Sequence, residues 1–274
     1  MTSLDLLETW DAPEARAAVV GGGGRGVIEV RGNAQLGDPW ASVTKLATAL
    51  AVLVAVEEEA VDLDAPAGPP GSTVRHLLAH TSGLAFDEHR VLAEPGRRRI
   101  YSNTGFEILG EAVAGATGMP FPEYLTEGVL SPLGMAATRL RADRSPAAGL
   151  EGPLDDLVRL ARELLEPTLV SPATMAGATT VAFPGLAGVL PGYGRQDPLD
   201  WGLGFEVRDA KDPHWTGRGN SPATFGHFGA SGSFLWVDPE AGLACAVLSG
   251  REFDAWAKDA WPALSDAVLA EYGP

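Results

Sequence analysis

The chain alternates between strand-like and helix-like patterning. Residues 15–20 and 26–31 are short apolar runs separated by a glycine-rich turn at 21–24, so residues 14–37 read as a hairpin. Asp38-Pro39 then ends the strand and opens a helix, with Asp38 as cap and Pro39 in the first turn. Residues 40–59 are apolar on most sides (Leu46, Ala47, Leu50, Val52, Leu53, Val54, Val56), the pattern of a buried helix. It ends on Glu57-Glu58-Glu59, against the helix dipole, and nothing local accounts for that ending. Residues 61–100 are rich in Pro, Gly and charge, with one short helix at 74–79. Helices are predicted at 103–118, 120–130 and 153–166, the last amphipathic. Residues 167–198 read as a loop-rich connection. Strand patterning returns at 202–208, 224–237 (broken by glycine) and 243–249, and residues 254–272 close the chain as an amphipathic helix.

This order predicts one sheet shared by the two ends of the chain. Residues 1–60 and 199–274 form the sheet domain, and 61–198 an inserted helical region. Such a junction leaves a cleft, where sites commonly sit. The 274 residues suffice for a core without disulfide or metal support. The net charge of −16 disfavours nucleic acid and anionic membrane surfaces as partners. Cys245 is the single cysteine and lies in an apolar run, as a buried strand residue does. No basic, apolar leader and no stretch of 18 apolar residues are visible, so a cytoplasmic location is the expectation.

Three short segments carry candidate chemistry. In Ser42-Val43-Thr44-Lys45, a serine and a lysine three apart share one helix face near a helix start, where the dipole favours negative charge. That suits a nucleophilic hydroxyl with an amine to take its proton. Tyr101-Ser102-Asn103 falls just before a helix. Positive charge nearby would lower the phenol pKa and favour phenolate, allowing proton exchange with a serine and a leaving group. The Asn103 amide can hold both a lysine and a substrate carbonyl. His227-Phe228-Gly229-Ala230 lies in a glycine-rich strand whose edge can offer an N–H to an oxyanion.

Together the three motifs resemble the serine β-lactamase and penicillin-binding-protein superfamily, most closely the class C branch with its esterase and DD-peptidase relatives. Val74-Arg75-His76-Leu77-Leu78-Ala79-His80-Thr81-Ser82-Gly83-Leu84, Pro95-Gly96 and Leu130-Ser131-Pro132-Leu133-Gly134-Met135 extend the resemblance to roughly residues 15–270. It implies an α+β fold, an α/β sandwich in which an antiparallel sheet is flanked by helices and interrupted by an all-helical region. It implies a serine hydrolase without metal or cofactor, acting on a small-molecule ester or amide. Ser42 would form an acyl-enzyme. Lys45 and Tyr101 would be the base and acid pair, in either order, and Asn103 would orient Lys45 and the substrate amide. His227 would replace the third-motif lysine. Gly229 and Ala230 would line the oxyanion side, where the backbone N–H groups of Ser42 and Ala230 converge. His227 for Lys and Phe228 for a hydroxyl residue both weaken recognition of a carboxylate, which favours an esterase. A penicillin-binding DD-peptidase or β-lactamase, or an inactive ligand-binding homologue, are the alternatives.

Other motifs are read as structural. Gly21-x-Gly23-x-x-Gly26 precedes a strand, not a helix, and so makes a turn and no dinucleotide site. His76 and His80 have zinc-ligand spacing without the accompanying Glu, and no G-x-S-x-G elbow occurs. Trp201 and Trp215 are candidates for lining a cleft. Oligomeric state and natural substrate are left open.

Overall fold

The computed structural model describes residues 2–274. A 3-10 helix at Ser3–Thr9 leads into strands β1 (Arg16–Gly21), β2 (Gly26–Arg31) and β3 (Gly37–Pro39). Helices α1 (Thr44–Glu57), α2 (Val74–Leu78), α3 (Asn103–Thr117) and α4 (Phe121–Leu125) follow. Short strands β4 (Arg139–Leu140) and β5 (Leu150–Pro153) precede helices α5 (Leu154–Leu165) and α6 (Pro172–Thr179). Strands β6 (Gly188–Leu190), β7 (Gly194–Gln196), β8 (Glu206–Val207), β9 (Phe225–Phe228), β10 (Ser233–Asp238) and β11 (Leu243–Leu248) and helix α7 (Ala255–Tyr272) complete the chain.

The main sheet has the order β2-β1-β11-β10-β9-β8 and is antiparallel throughout. Its central strands read as unbroken apolar runs because both faces are covered. On one face Ala18, Val20, Leu235, Val237, Ala244 and Ala246 share a core with α1 and with Leu157, Leu160, Ala161 and Leu164 of α5. On the other, Ala17, Val19, Phe234, Trp236 and Cys245 meet Leu4, Leu7, Trp261, Leu264 and Val268 from the N-terminal 3-10 helix and α7. This is the α+β sandwich expected, and Cys245 is the buried strand residue expected. The hairpin of β1 and β2 closes through the glycine turn, where Gly23, Gly24 and Gly26 adopt positive φ.

Several local expectations need correction. Asp38 does not cap a helix. It lies in β3, opposite Gly152 of β5, and receives the fully buried Arg16 guanidinium at 2.6 Å. A guanidinium out of water needs such a partner. The helix after it starts with a 3-10 turn at Ala41–Val43, and α1 follows. The 61–198 stretch also carries β4 to β7. The loop-rich 167–198 segment contains α6 and the β6/β7 hairpin. These elements are short, and their apolar patterning is too brief to read. The predicted 202–208 strand keeps only Glu206–Val207.

The acidic end of α1 is explained by distant partners. Glu57 accepts hydrogen bonds from Ser171 N (2.8 Å) and from the Thr174 hydroxyl, at the start of α6, and Glu58 accepts from the Tyr124 hydroxyl at 2.6 Å. Glu57 therefore serves the N-terminus of another helix, where a carboxylate is favourable.

Candidate active site

Ser42 sits in the 3-10 turn that opens α1. The preceding Ala41 holds φ at 45°, a left-handed conformation that costs a non-glycine residue energy. The turn is over-determined by its neighbours. Trp40 donates from its backbone N to Leu150 O (2.9 Å) and from Nε1 to Gly152 O (3.1 Å). Its carbonyl accepts from the Ser233 hydroxyl at 2.7 Å. Gly229, just past β9, lies so close that a Cβ there would stand 2.5 Å from Trp40 O and 3.0 Å from Ala41 Cβ. Only glycine permits that approach.

The three motifs converge. Lys45 Nζ is fully buried and lies 3.3 Å from Ser42 Oγ, 2.6 Å from Asn103 Oδ1 and 2.9 Å from Ala147 O. The Asn103 amide cannot be flipped without loss, because its Nδ2 donates to Asp87 Oδ1 at 2.8 Å. Two of the three Lys45 neighbours are thus carbonyl-type oxygens that only accept. An ammonium can donate to all three neighbours, and an uncharged amine has two N–H groups for the carbonyls and one lone pair left for the Ser42 hydroxyl. Burial favours the uncharged form and holds the Lys45 pKa well below the ordinary 10.5, while Asp87 and Glu107 pull it partly back.

Tyr101 lies beneath the amine, with Lys45 Nζ 4.7 Å from the ring centroid. Burial pushes the phenol pKa up, and the neighbouring Ser42 hydroxyl only partly offsets this. Desolvation, with Asp87 adding to it, thus favours the protonated phenol over the phenolate. The phenol oxygen lies 3.4 Å from His227 Nε2. The other ring nitrogen, Nδ1, is 2.6 Å from Phe228 O and must donate to it, so Nε2 of the neutral ring accepts from Tyr101. Burial, then Lys45, pushes the His227 pKa down to about 3. The third-motif position thus carries no charge at neutral pH.

One N–H of Asn103 Nδ2 donates to Asp87, which leaves the other for a substrate carbonyl. Gly229 N–H, on the oxyanion side, donates to Ser233 O at 2.8 Å, whereas Ala230 is exposed. Phe228 faces the opposite core, packed on Trp215, Phe253 and Trp261. Trp201 and Trp215 are both 1% exposed, so neither lines a cleft. Trp201 packs against Tyr101, His80 and His227. His80 accepts from Ser102 N through Nδ1 (3.2 Å), and its ring lies 4.6 Å from Tyr101. His76 bonds the Thr73 hydroxyl instead, and among the described residues no cluster of three metal-ligating side chains occurs. Asp87 and the Ala147 carbonyl carried no sequence signal. One is an exposed loop acid, and the other is backbone.

Residues 38–269 match the Beta-lactamase family. The chain belongs to that family. Within it, the chain is 26% identical to esterase EstB of Burkholderia gladioli, over 84% of this chain and 81% of EstB. It is 31% identical to penicillin-binding protein 4* of Bacillus subtilis over 36% of this chain, and the match spans 30% of that protein's length. A beta-lactamase from Mycobacterium bovis superposes with a TM-score of 0.97 at 56% identity, covering all of both chains. The antiparallel α+β architecture is thus that of the Beta-lactamase family. No helix among the described residues is long and apolar enough to cross a membrane.

Proposed function

We propose that the protein is a serine hydrolase that cleaves a small neutral ester or amide through a Ser42 acyl-enzyme. The supporting observation is the burial of Lys45, which lowers its pKa and places its Nζ 3.3 Å from Ser42 Oγ. In this reading Lys45 takes the Ser42 proton as Oγ bonds to the substrate carbonyl carbon. The carbonyl oxygen gains negative charge and is met by the backbone N–H groups of Ser42 and Ala230, with the α1 N-terminus adding favourable dipole. The bond to the leaving group then breaks, and the leaving group receives a proton from the Lys45–Tyr101 pair. Water hydrolyses the acyl-enzyme by the same steps in reverse. A neutral His227 favours substrates without a carboxylate, in line with the resemblance to EstB over most of the chain. Small-molecule esters are accordingly the proposed partners.

A fluorophosphonate probe tests the assignment. The wild-type protein should be labelled once, at Ser42, and Ser42→Ala should not be labelled. Equal labelling of the two proteins would overturn the proposal.

A further inference from the structure

Beside Tyr101 the surface opens into a cleft of ≈ 270 Å³, lined by the apolar groups of Phe86, Leu92, Ile100, Tyr101, Val189 and Pro191. Its floor is backbone. Arg99 and Gly188 form a bridge, Arg99 N donates to Ala187 O at 3.2 Å, and a Cβ on Gly188 would meet Arg99 O at 2.4 Å. Its walls are apolar and wet. Phe86 is 51% exposed, Leu92 46% and Val189 58%. Scattered exposed apolar residues need no explanation, but these converge on one cleft. The Arg99 guanidinium is turned away into the carbonyls of Ala79, Ala182 and Phe183. Arg98 is the one other charged residue on the lining, and it is exposed.

The cleft adjoins the catalytic groups through Tyr101, which lines it. Phe86 stacks on Tyr101 (centroids 5.8 Å apart, rings 26° from parallel), and its carbonyl accepts from Asn103 N at 2.7 Å. The next residue, Asp87, holds the Asn103 amide that holds Lys45. The loop is pinned, with Leu92 N on Gly83 O (2.8 Å) and Ala85 N on Arg90 O (2.9 Å), so the walls are preformed. We propose that this cleft, between the 86–100 loop and β6, binds the hydrocarbon chain of a neutral ester whose carbonyl reaches Ser42. The inference rests on the Ser42 reading given above and names the substrate class for it. Apolar walls stabilise a chain by removing it from water.

Two ester series test it on the intact protein. Methyl alkanoates carry the chain on the acyl side and alkyl acetates on the alcohol side. In one of them kcat/KM should climb as the chain lengthens, by up to about fourfold per methylene buried, until the cleft is filled. Leu92→Asp and Val189→Asp, both at exposed positions that folding tolerates, should lower the long-to-short kcat/KM ratio at least tenfold. A flat profile in both series, or an unchanged ratio in both variants, would overturn the proposal. Binding to Ser42→Ala separates this from the hydrolase reading. Octyl acetate should bind this protein more tightly than ethyl acetate and more tightly than octanoate. Such binding without turnover by the wild type would remove the hydrolase and keep the cleft. Preference for octanoate would make Arg98 an anion site and overturn the neutral-ester assignment.

Discussion

At the residue scale, Asp87 is the side chain whose importance is least visible in the chain and most visible in space. It fixes which face of the Asn103 amide meets Lys45, and its charge raises the Lys45 pKa against the larger effect of burial. Asp87→Asn removes that charge, so the acid limb of kcat/KM against pH should move to lower pH. With the amide less firmly held, kcat should also fall. An acid limb that stays in place would show that Asp87 does not act on Lys45. The identities of Ser42, Lys45, Tyr101, Asn103 and His227 were legible because paired chemistry recurs at fixed spacings. Their protonation states were not, because desolvation depends on neighbours brought in from elsewhere. The sequence suggests nearby positive charge that would favour a Tyr101 phenolate, and a His227 that weakens carboxylate recognition. Burial favours the neutral form of each.

At the element scale, the nucleophile is held by a contact between two distant segments. The end of β9 presses on the turn before α1, and Gly229 has no room for a side chain. Gly229→Ala should push Trp40 and Ala41 away and misplace both Ser42 and the donor at Ala230. Loss of one such donor costs about 10²–10³ in rate. The expected outcome is a drop of that order in kcat with KM little changed, checked by steady-state kinetics on a short ester. Near-normal kcat would mean that the strand end can retreat without consequence. Long, strongly patterned elements were readable from the sequence, including α1, α3, α5, α7 and the β1/β2 hairpin. Asp38 was misread because a buried Arg16, distant in sequence, claims its carboxylate. Strands β4 to β7 have two to four residues each and owe their existence to pairing.

At the scale of the whole molecule, the buried neutral bases tie stability to pH. His227 has a folded pKa of about 3, below the unperturbed value of about 6.5. Between those values the unfolded chain binds the proton and the folded one does not, so stability rises with pH across that window. His80 and His214, also lowered by burial, act in the same direction. Lys45 extends the effect, since between its lowered pKa and 10.5 the unfolded chain again holds the extra proton. The melting temperature should therefore fall steadily from pH 7 to pH 4. His227→Gln should flatten that dependence by up to one proton, about 1.4 kcal/mol per pH unit. A slope equal to that of wild type would mean that His227 is protonated in the folded protein.

The most direct test of the site is the pH dependence of Ser42 modification by a fluorophosphonate, followed in the wild type and in Lys45→Met. Methionine keeps the volume and removes the amine. In the wild type the rate should rise with pH through a single step whose midpoint lies well below 10.5, and in Lys45→Met both the step and most of the rate should vanish. A midpoint at the ordinary lysine value, or a Lys45→Met protein labelled as fast as the wild type, would contradict the assignment of a neutral lysine as the base that activates Ser42.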